Sequence, residues 1–343
     1  MKLMGDTMLN KSEILFFKNN RYFEAPKMLQ IEITNRCPLN CAQCYKDLDN
    51  SRDMPISKFY EIIDEAVLIG VKYIMINGGE PLIHPNFIDI VKKITDSNLS
   101  AICYTSGYGM NSSLIEQLKN SSVDIAISLN GSIESIHNMS RDGFDISMAA
   151  IKLLYEHNMP FSINWVARHD NLDDFENVIT LGRKYKAREI IVVCNKIAYD
   201  KRVHSPLSAL DYNKLKEIIN KDSNEKFITV QNCYNLLAQY VYEMPQSKTN
   251  GCSAGITACF ITVNGKYAPC SHLYYEEEYS SILEYWKKSN VLKQLRCNET
   301  YLLKYCMSCE RSNKCRVCRA VSEECHNDFT IGYKECPVYQ KKA

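Results

Sequence analysis

The chain has 343 residues and 45% apolar content, enough for one large domain and a smaller one with a substantial core. Forty-one basic against 40 acidic residues leave a formal charge of +1, which argues against a nucleic-acid or other polyanionic partner. The opening MKLMGDTMLNKSEILFFKNN holds only a four-residue apolar patch, and no run approaches the ~18 apolar residues of a membrane span, so no signal peptide, anchor or membrane contact is expected and the protein reads as cytoplasmic.

The predicted elements alternate from residue 28 onward. Strands are expected at MLQIEIT (28–34), KYIMIN (72–77), SAICYT (100–105), VDIAIS (123–128), FSINWV (161–166) and EIIVVC (189–194), with amphipathic helices over 56–70, 85–97, 146–157 and 173–186. The strands are rich in Ile and Val with little polar alternation, as in strands covered on both faces. Six βα units in series predict an α/β fold with a parallel sheet, open or curled into part of a barrel, and a site at the C-terminal strand ends. Further helices are expected at 207–221 and 232–244, and the polar PQSKTNG (245–251) reads as a boundary. Three regions follow: an N-terminal extension (1–27), a main domain (28–245) and a cysteine-rich domain (246–343). In the last, sparse periodicity predicts metal staples.

Sixteen cysteines without an export signal should stay reduced, so metal or iron–sulfur ligation is their expected use. Cys37, Cys41 and Cys44 stand in TNRCPLNCAQCYKD, directly after the first strand. Three thiolates suit a four-iron, four-sulfide cubane with one iron open to a ligand. The alternatives are buried structural cysteines or part of a zinc site completed from afar. NGGEPL (77–82) follows the second strand; its glycines let backbone approach a ligand and Pro81 fixes the exit.

With Cys-x3-Cys-x2-Cys after one strand and Gly-Gly-Glu-Pro after the next, the chain resembles the radical S-adenosylmethionine (radical SAM) superfamily over roughly residues 28 to 200. The resemblance implies a partial (β/α)6 barrel whose open iron binds S-adenosylmethionine, cleaved to a 5′-deoxyadenosyl radical that abstracts hydrogen from unactivated C–H bonds. By position, Gly78, Gly79, Glu80 and Pro81 match the segment meeting the methionine amino group. Ser128 in ISLNG and Arg141 in SRDG match the groups that hold its carboxylate, a task suited to the arginine fork. Two departures stand out: Gln43 where relatives often carry an aromatic or His, and Thr105-Ser106-Gly107 where Thr-Asn-Gly is common.

Ten cysteines follow residue 251. Cys252, Gly265 and Cys270, then CMSCERSNKCRVC with Cys306, Cys309, Cys315 and Cys318, then Cys336, resemble the SPASM extension of radical SAM enzymes that modify peptides, with the last short spacing two residues instead of three. The resemblance implies two auxiliary four-iron clusters beside the first. One takes Cys252, Cys270, Cys318 and Cys259; if Cys259 is no ligand, that cluster keeps an open iron. The other takes Cys306, Cys309, Cys315 and Cys336. A four-thiolate zinc site is the alternative. The run Arg311, Lys314, Arg316 and Arg319 reads as a solvated loop, able to meet an acidic peptide. Cys103 reads as core. Cys194, ending the sixth strand, and Cys233 could return a hydrogen atom to a substrate radical, although a buried small hydrophobe is the first expectation for each.

The expected function is therefore a radical SAM/SPASM enzyme acting on a ribosomally made precursor peptide, with a thioether or carbon–carbon cross-link favoured. Residues 1–27 are too short for a leader-binding domain, which implies a separate leader-recognition protein or direct peptide binding, and an electron donor such as flavodoxin or ferredoxin. The alternatives are a peptide epimerase using a cysteine donor, a sulfatase-type maturase or cofactor-biosynthesis enzyme of the same architecture, and a non-catalytic zinc protein.

Overall fold

The computed structural model describes residues 12–13, 22–46, 51–196, 207–222, 226–231, 251–273, 275–297, 303–309, 312, 315, 317–332 and 336, with Cys194, Glu324, Cys325 and His326 as backbone only. The expected helix at 232–244, Cys233, Arg311, Lys314 and Arg316 lie outside the described residues, as do most of 1–27 and of 245–251. The chain forms two compact units. The first gathers residues up to 38, 47–125 and 253–297; the second gathers 39–46, 126–252 and 298 onward.

In the first unit the strand order is β3-β2-β1-β8-β9. β1 (Met28–Thr34), β2 (Tyr73–Gly78), β3 (Ser100–Thr105) and β8 (Ala258–Ile261) run parallel, with Met28 opposite Tyr73 and Ala258, and Tyr73 opposite Ser100. β9 (Tyr267–Ala268) returns antiparallel. Leu29, Ile31, Ile33, Ile74 and Ile76 are fully buried, as expected of a sheet covered on both faces. Helices α1 (Ile56–Leu68) and α2 (Phe87–Asp96) cover it with Phe59, Ile62, Ile63 and Ala66, and with Phe87, Ile90, Val91 and Ile94. A short helix α3 (Ser112–Leu118) is capped by Asn111, whose side chain accepts from Leu114 N.

Residues 253–297 carry more regular structure than their sparse periodicity suggests. Beyond β8 and β9 they form α8 (Ile282–Lys288) and α9 (Asn290–Cys297). Trp286 is fully buried and donates to Phe23 O at 2.8 Å. The Glu65 carboxylate accepts from Ile282 N and Leu283 N at 3.0 and 3.1 Å, joining α1 to the start of α8. Arg296 lies over the Tyr22 and Trp286 rings and donates to Gly255 O and Trp286 O. Burial lowers its pKa to about 10. This stretch packs an apolar core of its own around Ile282, Tyr285, Trp286 and Leu292.

The second unit continues β4 (Val123–Ser128) in the order β4-β5-β6-β7. β5 (Phe161–Ala167), β6 (Ile190–Cys194) and β7 (Ile228–Val230) are parallel, with Ile163 opposite Ile190 and Ile190 opposite Ile228. Helices α4 (Glu134–His137), α5 (Phe144–Glu156), α6 (Phe175–Lys184), α7 (Ala209–Lys221) and α10 (Arg319–His326) complete it among the described residues. Trp165 stacks on Phe175, centroids 4.0 Å apart, fixing α6 to β5. No described helix is long and apolar enough to cross a membrane.

Candidate cofactor and cluster site

In the first unit the site begins where β1 and β2 end. Gly79 N donates to Thr34 O and Glu80 N to Arg36 O, each at 2.8 Å, so the two strand-end loops are joined backbone to backbone. A Cβ on Gly79 would lie 2.2 Å from Arg36 O, and one on Gly78 2.9 Å from Thr34 O. The glycines are required for room: neither has a positive φ. Arg36 holds the arrangement from outside, pairing with Asp53 at 3.0 and 2.9 Å and donating to Ile83 O at 2.9 Å. Cys37 is the next residue, half-buried.

Glu80 is 1% exposed, and its carboxylate accepts from Leu82 N (3.1 Å), Thr105 Oγ1 (2.6 Å), Ser106 N (2.8 Å) and Ser106 Oγ. Burial raises its pKa, and the hydrogen bonds from Ser106 and Thr105 partly offset that. Glu80 therefore ties the loop after β2 to the end of β3. The Thr105-Ser106-Gly107 departure fits this arrangement, because both hydroxyls point at the same carboxylate. Gly107, at φ 91°, donates its N–H to Thr105 Oγ1 at 2.8 Å. Cys103 is fully buried and its thiol is pushed well up by burial, so it is core as expected.

In the second unit, residues 39–46 lie on the segment 140–143. Gln43 N donates to Ser140 O (2.9 Å), Asn40 N to Asp142 Oδ2 (3.2 Å) and Asp142 N to Cys41 Sγ (3.4 Å). Gly143 sits at φ 80°, against the Leu39 side chain. With its amide oxygen turned to the donors, Gln43 accepts from Arg141 Nε and Nη2 at 3.2 and 3.3 Å and from Asn130 Nδ2 at 3.2 Å. Arg141 is half-buried and lies over the cysteine loop. Burial raises the Cys44 thiol pKa, and the positive charges of Lys46 and Arg141 oppose that rise. His137 is fully buried, its Nδ1 accepts from Asn130 N at 3.3 Å, and burial with the Arg141 charge lowers its pKa to about 4. Ser128 ends β4, buried, with its carbonyl accepting from Ser147 Oγ.

The remaining cysteines are placed as follows. Cys270 accepts from His272 N at 3.3 Å, a bond suited to a thiolate. Cys259 lies inside β8, 0% exposed, and burial pushes its thiol up, so ligation there would require it to leave the strand's packing. Cys306 and Cys309 form a turn, Cys309 N donating to Cys306 O at 3.0 Å. A Cβ on Gly332 would lie 2.9 Å from Cys306 Sγ, which brings the chain just before Cys336 against that turn. Cys318 is buried just before α10, and Cys252 and Cys315 are half-buried. Arg319 is not in a solvated loop: it starts α10, 6% exposed, and donates to Phe329 O. Among the described residues no three His, Cys, Asp or Glu side chains converge on one metal position. The fit to clusters rests on the donor set: none of the cysteines named for them is in a disulfide, and all but buried Cys259 and Cys318 are half-buried. Sequence reasoning missed Arg36, Asn130 and His137, whose roles depend on partners distant in the chain.

Residues 31–182 match the family model of the Radical SAM superfamily. The chain is 24% identical over 333 residues to an AdoMet-dependent heme synthase of Methanosarcina barkeri, spanning 89% of this chain and 94% of that one. It is 29% identical over 177 residues to a PqqA peptide cyclase of Ruegeria pomeroyi, covering 50% and 47% of the two chains. Streptococcus suis SuiB, solved with its precursor peptide SuiA, superposes with a TM-score of 0.80 at 17% identity, over 95% of this chain and 79% of that one. That likeness is one of fold.

Proposed function

The chain is a radical SAM enzyme, and on that premise we propose that it modifies a ribosomally made precursor peptide by forming a thioether or carbon–carbon cross-link. The observation that carries the chemistry is the glycine segment bonded backbone to backbone to the residues that lead into Cys37. Cys37, Cys41 and Cys44 are the ligands we assign to a four-iron cluster. When bound, this cluster and S-adenosylmethionine supply a 5′-deoxyadenosyl radical able to take hydrogen from a C–H bond. Gly78 and Gly79 present backbone to the methionine amino group, with Glu80 and Pro81 fixing their path. Arg141 and Ser128 bind the carboxylate, and the Gln43 contact orients the guanidinium.

We assign Cys306, Cys309, Cys315 and Cys336 to one auxiliary cluster and Cys252, Cys270 and Cys318 to another, with Cys259 as a core residue of β8. Support for a peptide substrate comes from the PqqA peptide cyclase likeness and from the fold shared with SuiB. Two auxiliary clusters favour cross-linking, which must pass an electron away, over epimerisation with Cys194 or Cys233 as hydrogen donor. A flavodoxin or ferredoxin would supply the first electron, and a separate protein would recognise the leader.

A second reading, on a tetrapyrrole, is favoured by one observation: the heme synthase likeness spans 89% of the chain at 24% identity, although a PqqA peptide cyclase of Rhizobium meliloti matches over 83% at 23%. The deciding experiment is anaerobic. Reconstituted protein with reductant should form 5′-deoxyadenosine and Cys41→Ala should not. A peptide encoded beside the gene, co-expressed with the enzyme, should become two mass units lighter. Turnover of a tetrapyrrole with no change in any such peptide would establish the second reading; stoichiometric zinc with little iron would remove both.

A further inference from the structure

The face of β5 turned away from α6 takes no part in the assignments above. Gly182 of α6 lies against Ile163 Cδ1, and Trp165 stacks on Phe175, so Ile163 and Trp165 point to that helix. Side chains alternate along a strand, so Ser162, Asn164 and Val166 point the other way. Arg168 extends the row, since its backbone stays extended at φ −137° and ψ 153°. Across β6, Ile191 and Val193 stand in register with Asn164 and Val166 and share the face. A polar row thus lies in apolar surroundings.

This row is buried, Ser162 and Arg168 at 0% and Asn164 at 7% exposure. Each of the three keeps an unused atom: Ser162 Oγ, Asn164 Oδ1 and Arg168 Nη1 have no hydrogen-bonding partner among the described residues. Buried polar atoms are nearly always paired, so three orphans on one strand face call for a ligand or water. The other edge of Arg168 is occupied. Nε donates to Asp170 Oδ1 at 2.8 Å and Nη2 to Asp170 Oδ2, which locks the guanidinium plane and leaves Nη1 unused. Arg168 also stands just past the C-terminal end of β5, where parallel sheets hold their ligands.

We propose that this row is a subsite for an extended, acidic stretch of substrate peptide, an inference that rests on the peptide reading above. Arg168 Nη1 donates to a carboxylate, Asn164 Oδ1 accepts a main-chain N–H, and Ser162 Oγ serves a further peptide group. Ser162 to Arg168 covers about 20 Å of strand, too long for a single small acid and suited to an extended peptide.

The probes are Ac-Glu-Ala-Ala-NH2 and Ac-Ala-Ala-Glu-NH2, their Gln counterparts, and propionate, titrated against reconstituted holoprotein by saturation-transfer NMR. One Glu tripeptide should bind at least fivefold tighter than its Gln counterpart, and Arg168→Gln should remove that ratio. Asn164→Leu should weaken the tripeptide and spare propionate. Equal binding of Glu and Gln probes by the wild type overturns the proposal, whatever Arg168→Gln does to folding. Propionate binding as tightly as the tripeptide, and lost in Arg168→Gln, would assign the row to a bare carboxylate and overturn the peptide part. Because 5′-deoxyadenosine formation is scored separately, a protein that makes it yet shows no Glu preference loses this inference alone.

Discussion

The two units fix their parts of the cysteine loop by different means. In the first, backbone meets backbone: Gly79 and Glu80 bond to Thr34 and Arg36, with no room for a side chain at Gly79. In the second, the contacts are largely made by side chains, with Asn130, Gln43, Arg141 and Asp142 meeting over the segment 140–143. Close backbone approach is all-or-none, whereas a side-chain network loses strength in steps. The first unit should therefore fail abruptly on substitution and the second gradually.

The largest effect tests that directly. Gly79→Ala places a methyl 2.2 Å from a carbonyl oxygen that cannot move without shifting the cysteine loop. A loss of about 3 kcal/mol or more is expected, at the upper end for overpacking, measured by denaturant unfolding and accompanied by lower iron content. Near-wild-type stability and iron would break the contrast between the units.

Next comes pH, where the units should respond with opposite sign. His137 has its pKa lowered to about 4 from 6.5, so the unfolded chain binds its proton first. Its stabilisation is full above pH 6.5 and is lost as pH falls towards 4, with a ceiling of about 3 kcal/mol. Glu80 has a raised pKa; its contribution is full below the unfolded value and is lost as pH rises through the folded one. Unfolding of wild type and His137→Gln between pH 7 and 5 isolates the ring, because cluster loss is common to both. Parallel curves would remove His137 from the account.

Arg141→Ala should weaken S-adenosylmethionine binding by the ~1.5–3 kcal/mol of a charge-assisted hydrogen bond while leaving iron in place. Gln43→Ala, which removes only the orienting contact, should have a smaller effect in the same direction. Unchanged cofactor affinity in Arg141→Ala would separate that residue from the cofactor.

Much of this was legible in the sequence. The strands at 28–34, 100–105 and 123–128 are where the apolar runs place them, because burial on both faces leaves a mostly apolar signal despite Gln30, Glu32 and Asp124. β7 was not legible. Its three residues, Ile228–Val230, carry too short a pattern, and Asp222 fixes their start by accepting from Phe227 N and Ile228 N. β8 was hidden among cysteines, and reading Cys259 by spacing alone passed over its place in a strand pairing with Leu29. Glu80 was found as part of a motif, but its partners Thr105 and Ser106 lie on another strand end, which no local pattern reveals.

The smallest expected effect concerns the cysteine that spacing and structure describe differently. Cys259 is fully buried in β8, beside Tyr267 and Tyr285, whose own pKa values are raised first by burial and then, for Tyr267, by the Glu65 charge. A thiolate there would be a buried charge that Arg296 offsets only in part, so without a metal the neutral thiol is favoured. Cys259→Ala then removes one buried sulfur and leaves a small cavity, a cost of about 1 kcal/mol. Iron and sulfide per chain should equal those of wild type. Cys270→Ala, a half-buried cysteine of the same unit already accepting an N–H, should lower both. Equal iron loss in the two variants would make Cys259 a ligand and show that β8 rearranges when the cluster binds, so that only part of the first unit has the rigidity inferred from Gly79.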